Sequence, residues 1–397
     1  MVNSKTQSGH NLSGMKEKYY VVAKTISRWK LDNPIENWLS HKADYSETWK
    51  KLYVLYYKIF DHKYYMGGLP LINKEIDKQL PNINDNVWGG VGMSRDWIIR
   101  DIIYSTHRFG VSFTEYFVNK FYDKNAHGRE KVNNLRMQYG YCEIVNSPEC
   151  REIFDNKGKT FEHFASFYKR DVVAISDMAE DKEKCLSFLS KHKSYIYKPI
   201  HGVGGKGIMI VKDTSQAPET IFLELSTKGA YVLEELIEQG DEMSVLHKES
   251  LNTVRIATFK IGNEIIIYGA GLRIGTGSAI VDNASSGGLF CHINHKYGFV
   301  DSNAKDWYNN QYSHHPDTNI KFVGWEIPKW EEAIETVTAM AKVVKGATVI
   351  SWDLALSDKG WCMVEANDVG GPNLLQSNGV GNKLIMQQLI EKYNKVK

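Results

Sequence analysis

The sequence lacks most features that mark a secreted, membrane-spanning or nucleic-acid-binding protein. Its five cysteines among 397 residues show no CxxC spacing, which argues against a zinc site or disulfide framework and favours reduced thiols in the cytoplasm. The net charge is only +2, whereas nucleic-acid binding needs a dense basic stripe. No apolar run reaches the roughly 18 residues that span a bilayer, and the opening residues lack the apolar centre of a secretory signal. We therefore expect a cytoplasmic protein with no nucleic-acid partner and no transmembrane segment.

The first part of the chain has the pattern of a tail followed by helices. Residues 1–18, rich in Ser, Gly and Asn, are predicted to be a disordered tail, and residues 19–150 to be mainly helical. In the segment 46–65, aromatic and apolar side chains follow helical spacing nearly all round, with lysines between them. Burial against neighbouring helices is favoured, and the alternative is peripheral association with a membrane surface. Residues 66–93, rich in Gly, Pro and Asn, are predicted to be a loop or small irregular unit.

From about residue 194 the pattern changes to short β-rich runs separated by turns. The predicted strands are residues 194–199, 207–212, 231–236, 253–261, 264–274 and 349–356. Helical spacing predicts one helix over 331–345 and a last helix that includes Leu384, Ile385, Leu389, Ile390 and Tyr393. Strands in hairpins combined with a few helices predict an α+β fold class.

A glycine-rich loop at residues 202–207 formally matches the GxGxxG pattern. The residues after it, 208–211, are apolar and mostly β-branched, so the loop is predicted to join two strands instead of opening a dinucleotide-binding helix. It is not a P-loop, because Gly207 follows Lys206 where Ser or Thr is required. Flexible backbone N–H groups in such a hairpin can fold over polyphosphate. Lys198 would place a surface-facing ammonium beside them, although a plain glycine hairpin explains the loop equally well.

A second polar constellation lies in a hairpin near the end of the chain. Asp353 interrupts an apolar strand, and Glu365 and Asn367, two residues apart, point to one face of the next strand. A three-residue loop over 358–360, with Gly360 left-handed, would set Asp353 opposite Glu365. Two carboxylates and an amide oxygen suit Mg²⁺, whereas ordinary exposed acids would not have such apolar neighbours. We therefore predict that Asp353, Glu365 and Asn367 are metal ligands.

In this order and spacing, the lysine before the glycine loop, the Glu234–Glu235 pair and the D-x11-E-x-N triad resemble the ATP-grasp superfamily. The closest resemblance is to the sugar-transfer-associated ATP-grasp family, over roughly residues 105–390. It implies an ATP-grasp fold in which two α+β subdomains grip ATP, behind the mainly helical N-terminal region. Residues 151–250 would form the nucleotide-binding subdomain and residues 251–397 the catalytic, metal-binding subdomain.

The resemblance also implies roles for individual residues. The predicted nucleotide-binding residues are Lys157, Lys198, Gly204, Gly205, Lys206, Glu234, Glu235, Ile237 and Glu242. Lys159 remains an alternative to Lys157 as the first nucleotide lysine, and Glu242 would hold the ribose hydroxyls. Arg255 and Arg273 would be catalytic, since two inward arginines need anionic partners and triphosphate supplies them. Asn283, Gly287 and Gly288 would line the acceptor side of the site.

The activity implied by the resemblance is that of an ATP-dependent ligase with ATP and Mg²⁺ as cofactors. A carboxylate would be activated as an acyl phosphate and joined to an amine or amino sugar, with a role in surface polysaccharide biosynthesis. The alternatives are a kinase that phosphorylates a hydroxyl and a nucleotide-binding module without turnover. A kinase needs a base, for which His247 is the nearest candidate, and a lone His beside Lys is more often a solvated surface residue.

Overall fold

The structure, a computed structural model, describes residues 34–82, 94–202, 207–279, 282, 284 and 287–396. The predicted tail, residues 1–18, lies outside this range. The chain forms two compact units, which meet in sequence between Met137 and Gln138. No helix in the described ranges is both long and apolar enough to cross a bilayer.

The first unit is helical throughout the residues described. Its helices are α1 Pro34–Ala43, α2 Glu47–Phe60, α3 His62–Gln79, α4 Arg95–Phe109, α5 Phe113–Val118 and α6 Ala126–Glu130, with α7 Leu135–Val145 running into the second unit. Helix α4 begins where the Ser94 side chain accepts a hydrogen bond from the Trp97 amide at 3.2 Å. It ends at Gly110, whose φ of +76° is the left-handed conformation that glycine adopts most readily. The predicted helical character of this region is confirmed.

The predicted loop over residues 66–93 is wrong for its first half, which lies in helix α3. Ile72 and Ile76, four residues apart, are both buried on one side of this helix. Their packing outweighs the poor helix propensity of Gly67, Gly68 and Pro70. Residues 83–93 of the predicted loop lie outside the described residues.

The core of the first unit contains a buried acid surrounded by cations. Asp101 is fully buried and accepts hydrogen bonds from Lys50 at 2.9 Å and from Tyr116 at 2.8 Å. Arg129 donates to both of its carboxylate oxygens, at 2.9 and 2.8 Å. Lys50 and Arg129 are themselves buried. Every oxygen of Asp101 is therefore satisfied within the helical core.

The second unit contains a small antiparallel sheet with the order β1-β4-β2-β3. Its strands are β1 Val172–Ile175, β2 Tyr195–Pro199, β3 Met209–Val211 and β4 Tyr231–Glu235. Strands β2 and β3 pair across the glycine loop, which confirms that this loop joins two strands. Helices α10 (Lys182–Lys191) and α11 (Pro218–Ser226), like strand β1, were not predicted, and their apolar side chains form a core with the sheet.

A larger antiparallel sheet has the order β10-β9-β7-β6-β5-β11-β12, with β8 paired to β7. Its strands are β5 Thr253–Ile261, β6 Glu264–Ile274, β7 Leu289–Asn294, β8 Phe299–Val300, β9 Ala304–Lys305, β10 Gln311–Tyr312, β11 Val349–Ser357 and β12 Gly360–Asn367. The remaining helices are α8 Pro148–Asp155, α9 Lys157–Tyr168, α12 Asp241–Ser244, α13 Trp330–Met340 and α14 Lys383–Val396. Side chains from α9 and α13 pack with one face of this sheet in the main core. The predicted α+β class is confirmed.

The hairpin of β11 and β12 contains an irregularity in its pairing. Ser357 pairs with Gly360 (φ +85°), so the turn itself has two residues instead of the predicted three. A β-bulge then shifts the register between Asp353 and Leu354, and Asp353 lies opposite Glu365. The predicted pairing of the two acids is confirmed, but the extra residue that produces it lies at the bulge.

Candidate functional site

Polar side chains gather on one face of the large sheet, where β6, β5, β11 and β12 lie side by side. They are Thr253, Arg255, Arg273, Asp353, Glu365 and Asn367. The register sets Arg255 and Glu365 on either side of Asp353, and Thr253 opposite Arg273. Directly opposed residues point to the same side of a sheet, while the residues that alternate with them enter the core. The structure therefore brings both predicted catalytic arginines and the three predicted metal ligands onto one surface.

Asp353 is buried and is held by both arginines. Arg255 donates from Nε to Oδ1 and from Nη2 to Oδ2, each at 2.7 Å, and Nη2 of Arg273 lies 2.5 Å from Oδ2. Burial acts to raise the pKa of Asp353, but the two guanidinium groups outweigh it and lower the pKa to about 2. Asp353 is thus ionised at neutral pH and is itself an anionic partner of the arginines.

The donor set on this face fits a divalent cation such as Mg²⁺. Asp353 and Glu365 offer hard carboxylate oxygens, and Asn367 offers an amide. The Asn367 Nδ2 atom is buried and finds no hydrogen-bond partner among the described residues, so this N–H donor is available to an acceptor such as a phosphate oxygen, while a cation would be held by the amide oxygen. The negative charge of Glu365 also acts on Arg273, so the acids and arginines form one electrostatic unit.

On the small sheet, Lys198 is buried against Glu234. The Lys198 ammonium lies 2.7 Å from Glu234 Oε1, and Arg170 Nε donates to Glu234 Oε2 at 3.2 Å. Burial acts to raise the pKa of Glu234, but Lys198 and Arg170 outweigh it and lower the pKa to about 2. The expectation that Lys198 faces solvent is wrong, because its side chain is only 10% exposed and one of its three N–H donors points to the buried Glu234.

Of the two candidate first lysines, Lys157 lies near the other charges of the site. Asn156 caps helix α9 by accepting from the Lys159 amide at 3.0 Å, and Lys157 Nζ donates to the Gly202 carbonyl, at the start of the glycine loop, at 2.9 Å. Burial lowers the pKa of Lys157, and the charges of Glu365 and Lys198 act on it in opposite directions. Lys159 instead pairs with Glu152 at an exposed position. We retain Lys157.

The remaining predicted nucleotide residues are distributed around the small sheet. Glu235 ends β4, where its side chain accepts from the Asp171 amide at 2.9 Å, and Ile237 follows two residues later, half-buried. Glu242 lies in helix α12, about half exposed, with its carboxylate 3.0 Å from Lys329. The predicted residues Gly204, Gly205 and Lys206 lie outside the described residues.

The predicted acceptor side is formed by the chain that connects β6 to β7. Gly287 has a φ of +97°, and a Cβ on Gly288 would lie 2.4 Å from the Asp282 carbonyl oxygen, so only glycine fits there. Asp282 is buried and accepts a short hydrogen bond from Thr253 Oγ1. The positive charge of Arg273 acts to lower the pKa of Asp282. Asn283, the third predicted residue of this side, lies outside the described residues.

Three charged side chains near the predicted site have contacts that the sequence does not predict. Arg170 links the two sheets, because it contacts Glu234 and also donates to the Met363 carbonyl at 2.6 Å. Glu234, predicted as a nucleotide-binding residue, has its side chain against Lys198. Burial raises the pKa of Asp282, which precedes the predicted acceptor residue Asn283 in the chain. Nothing in the local sequence indicates these long-range charge pairs.

His247 and the cysteines have structural surroundings. His247 is buried, with Nδ1 2.9 Å from Ser250 Oγ and Nε2 2.9 Å from the Gly277 carbonyl. The expectation that it is a solvated surface residue is wrong, and both of its ring nitrogens are engaged. All five cysteines are buried and unpaired, which confirms the absence of a disulfide framework.

Comparison with known proteins identifies the family of the second unit. The model of the family described as sugar-transfer associated ATP-grasp matches residues 136–391, more than half of the chain. No curated protein matches.

Three similar solved structures show weak global likeness. D-alanine–D-alanine ligase from Helicobacter pylori is 12% identical, with a TM-score of 0.39 and 64% of each chain covered.

The two other solved structures show similarly weak likeness. D-alanine–D-alanine ligase from Bacillus anthracis is 13% identical, with a TM-score of 0.39, 66% of this chain and 75% of that chain covered. N5-carboxyaminoimidazole ribonucleotide synthetase from Thermotoga maritima is 14% identical, with a TM-score of 0.33 and coverages of 58% and 47%. The match to the first of the three structures spans less than two thirds of its length.

Proposed function

Since the chain belongs to the sugar-transfer-associated ATP-grasp family, we propose that it is a ligase that uses ATP and Mg²⁺ to join a carboxylate to an amine. The observation that supports this most is the common face shared by Arg255, Arg273, Asp353, Glu365 and Asn367. Cationic donors beside a set of oxygen ligands suit the transfer of a phosphoryl group from Mg·ATP, which depends on positioning and charge neutralisation.

In the first step, a carboxylate oxygen of the substrate attacks the γ-phosphorus of ATP. The new O–P bond forms as the bond from the γ-phosphorus to the bridging oxygen breaks, which gives an acyl phosphate and ADP. Lys157 and Lys198 would neutralise charge on the phosphates from the small-sheet side, and Arg255 and Arg273 from the large sheet. Asp353, Glu365 and Asn367 would hold Mg²⁺, which would supply positive charge against the negative charge of the phosphates.

In the second step, the free amine attacks the carbonyl carbon of the acyl phosphate. The carbonyl oxygen gains negative charge, which the guanidinium groups of Arg255 and Arg273 would stabilise. The C–N bond forms, phosphate leaves with the electrons of the C–O bond, and one proton passes from the amine nitrogen to the leaving phosphate. No covalent intermediate on the protein is needed, so this route requires no nucleophilic side chain.

We further propose that the carboxylate is a sugar acid and that the amine belongs to an amino acid or amino sugar of a surface polysaccharide. The description of the family as sugar-transfer associated supports this substrate class. Buried, unpaired thiols at all five cysteine positions suit a reducing compartment, and we place the reaction in the cytoplasm.

A kinase would use the same phosphate-binding residues and differ in the fate of the γ-phosphate. It needs a base to deprotonate a hydroxyl, and His247 does not suit that role because both ring nitrogens are engaged in the core. A non-catalytic nucleotide-binding module would not need the complete set of metal ligands. Both observations favour the ligase.

Phosphorus NMR on the full chain with ATP, Mg²⁺ and pairs of uronic acids and amines tests the reaction class. A ligase releases ADP and inorganic phosphate in equal amounts, and hydroxylamine traps the acyl phosphate as a hydroxamate. A new phosphomonoester resonance without inorganic phosphate would establish a kinase instead. ATP binding without turnover for any pair, together with intact binding in the Asp353→Asn variant, would favour the non-catalytic module.

A further inference from the structure

Helix α2 has two apolar sides, and only one of them is buried. Tyr53, Val54 and Tyr57 enter the core of the first unit. On the other side of the same helix, large apolar side chains face solvent. They are Leu52, Leu55, Ile59 and Phe60, with exposures of 43, 50, 62 and 68%. Single exposed apolar residues are common on protein surfaces, but a continuous stripe of them is not.

The exposed side chains form one stripe. At about 100° per residue, the arc from Leu55 through Ile59 and Leu52 to Phe60 covers about 140° of the helix circumference. Trp38 of α1, 52% exposed, extends this stripe, because its ring packs edge-on against the Trp49 ring with centroids 5.2 Å apart. We call Trp38, Leu52, Leu55, Ile59 and Phe60 the apolar face.

Positive charge borders the apolar face on one side. Lys51 and Lys58 are exposed and precede Leu52 and Ile59 in sequence, so they lie along one edge of the arc. The only acid of the helix, Glu47, is 2.6 Å from Lys50. Lys50 itself turns inward to Asp101. The edge of the apolar face is therefore cationic.

We propose that the apolar face docks the protein on the surface of a membrane that contains anionic lipids. An interfacial helix buries an apolar arc at the acyl boundary, while lysines at its edge reach the phosphates. Anionic lipids attract basic residues close to the surface, and Trp is suited to the interface because its ring is amphipathic. A second copy of the chain would bring the same lysines towards each other, which makes it the poorer occupant. This surface belongs to the first unit and is independent of the proposed reaction.

Flotation of the full chain with lipid vesicles tests this inference. We expect the protein to float with phosphatidylcholine vesicles that contain phosphatidylglycerol, and to bind pure phosphatidylcholine vesicles more weakly. The double variant Leu55→Glu/Ile59→Glu should bind about tenfold less, because charge enters the apolar face. The matched control Leu223→Glu/Leu384→Glu alters two side chains of similar exposure, 66 and 61%, in the second unit and should bind like the wild type.

Two further variants separate the contributions of charge and apolar contact. Lys51→Glu/Lys58→Glu should abolish the preference for anionic over neutral vesicles. If circular dichroism or the melting temperature shows that the glutamate pair unfolds, the double variant Leu55→Ser/Ile59→Ser takes its place. It should also bind vesicles more weakly than the wild type.

Three results would overturn the inference. The first is a wild-type chain that floats with neither kind of vesicle. The second is a glutamate pair that floats as well as the wild type. The third is a wild-type dimer in light scattering that the glutamate pair dissociates while neither protein binds vesicles, since the face would then be covered by a second copy.

Discussion

The two units each contain a buried acid held by two cations, and the pairs differ in what surrounds them. In the first unit, Asp101 is closed in by Lys50, Arg129 and Tyr116, and both of its oxygens are satisfied. In the second unit, Asp353 is held by Arg255 and Arg273, whose side chains remain 14 and 16% exposed. Both acids lie deep in the protein, but the arginines that hold Asp353 are more exposed than Lys50 and Arg129, whose side chains are 9 and 5% exposed.

The residues that surround Asp101 and Asp353 also differ. Around Asp101 lie aromatic side chains, with the Tyr104 ring under the ammonium of Lys50 and beside the Arg129 guanidinium. Beside Asp353 lie a second acid, Glu365, and the buried amide of Asn367. A buried ion pair contributes little net stability but is costly to break. The same charge arrangement can therefore support packing in one unit and ligand binding in the other, depending on whether further polar groups share its face.

Exchanging each acid for its amide should separate the two roles most strongly. Asp353→Asn should lower turnover by about a thousandfold or more, because it removes a proposed metal ligand and the partner of both arginines. Asp101→Asn should instead lower the free energy of unfolding by about 3–5 kcal/mol, since it leaves buried cations uncompensated. Steady-state kinetics and urea unfolding of both variants measure this. Normal Mg²⁺-dependent activity in Asp353→Asn would disprove the metal assignment.

Glu365→Gln should abolish turnover while changing the free energy of unfolding by less than about 1 kcal/mol. The half-buried Glu365 is a proposed metal ligand, and removing its charge weakens a hard-cation site. Glu264→Gln, on an exposed part of the same sheet, is the matched control and should keep full activity. Titration with Mg²⁺ in the presence of ATP compares them. Equal Mg²⁺ affinity in the two variants would show that Glu365 is not a metal ligand.

Lys198→Met should weaken ATP binding by about ten- to a hundredfold, because one charge-assisted contact with phosphate is lost. It should also lower the free energy of unfolding by about 1–3 kcal/mol, since Glu234 is left with Arg170 alone. Lys159→Met removes an exposed ion pair and should leave both quantities nearly unchanged. Calorimetry with a non-hydrolysable ATP analogue decides the matter. ATP affinity that is identical in wild type and Lys198→Met would make Lys198 a purely structural residue.

Acid should destabilise the second unit through two of its buried carboxylates. Folding lowers the pKa of both Glu234 and Asp353 to about 2, below the roughly 4 of unfolded carboxylates. The stability they contribute is therefore complete above about pH 4 and is lost as the pH falls towards 2. Urea midpoints followed by the fluorescence of the buried Trp352 and Trp361 should fall over this range. Glu234→Gln should make the decline shallower, and an unchanged slope would mean that Glu234 is not the group responsible.

Local patterns predicted the parts of the site that depend on strand alternation. The glycine hairpin, the strand assignments and the shared face of Glu365 and Asn367 follow from period-two spacing and turn residues. The family match then confirms the recognition that rested on these motifs. The metal and nucleotide roles themselves stay predictions.

What could not be predicted depends on contacts between residues far apart in the chain. The burial of Lys198 results from β4 lying beside β2, which places Glu234 within reach. Arg170 acts on both sheets because the segment before β1 passes β12. Helix α3 forms despite its Gly and Pro residues because Ile72 and Ile76 are buried. Tertiary packing overrides local propensity in such cases.

The bulge in β12 has a consequence for anyone who aligns or engineers this hairpin by counting. Trp361 and Met363 are core residues, and strict alternation would send Glu365 into the core after them. The core position that follows is Ala366 instead, because one residue is added between Met363 and Glu365. Deleting Val364 would leave the composition of the strand almost unchanged, yet it would exchange inside and outside for every residue that follows. Whether Glu365, a proposed metal ligand, faces the site or the core is therefore a matter of odd and even numbers as much as of chemistry.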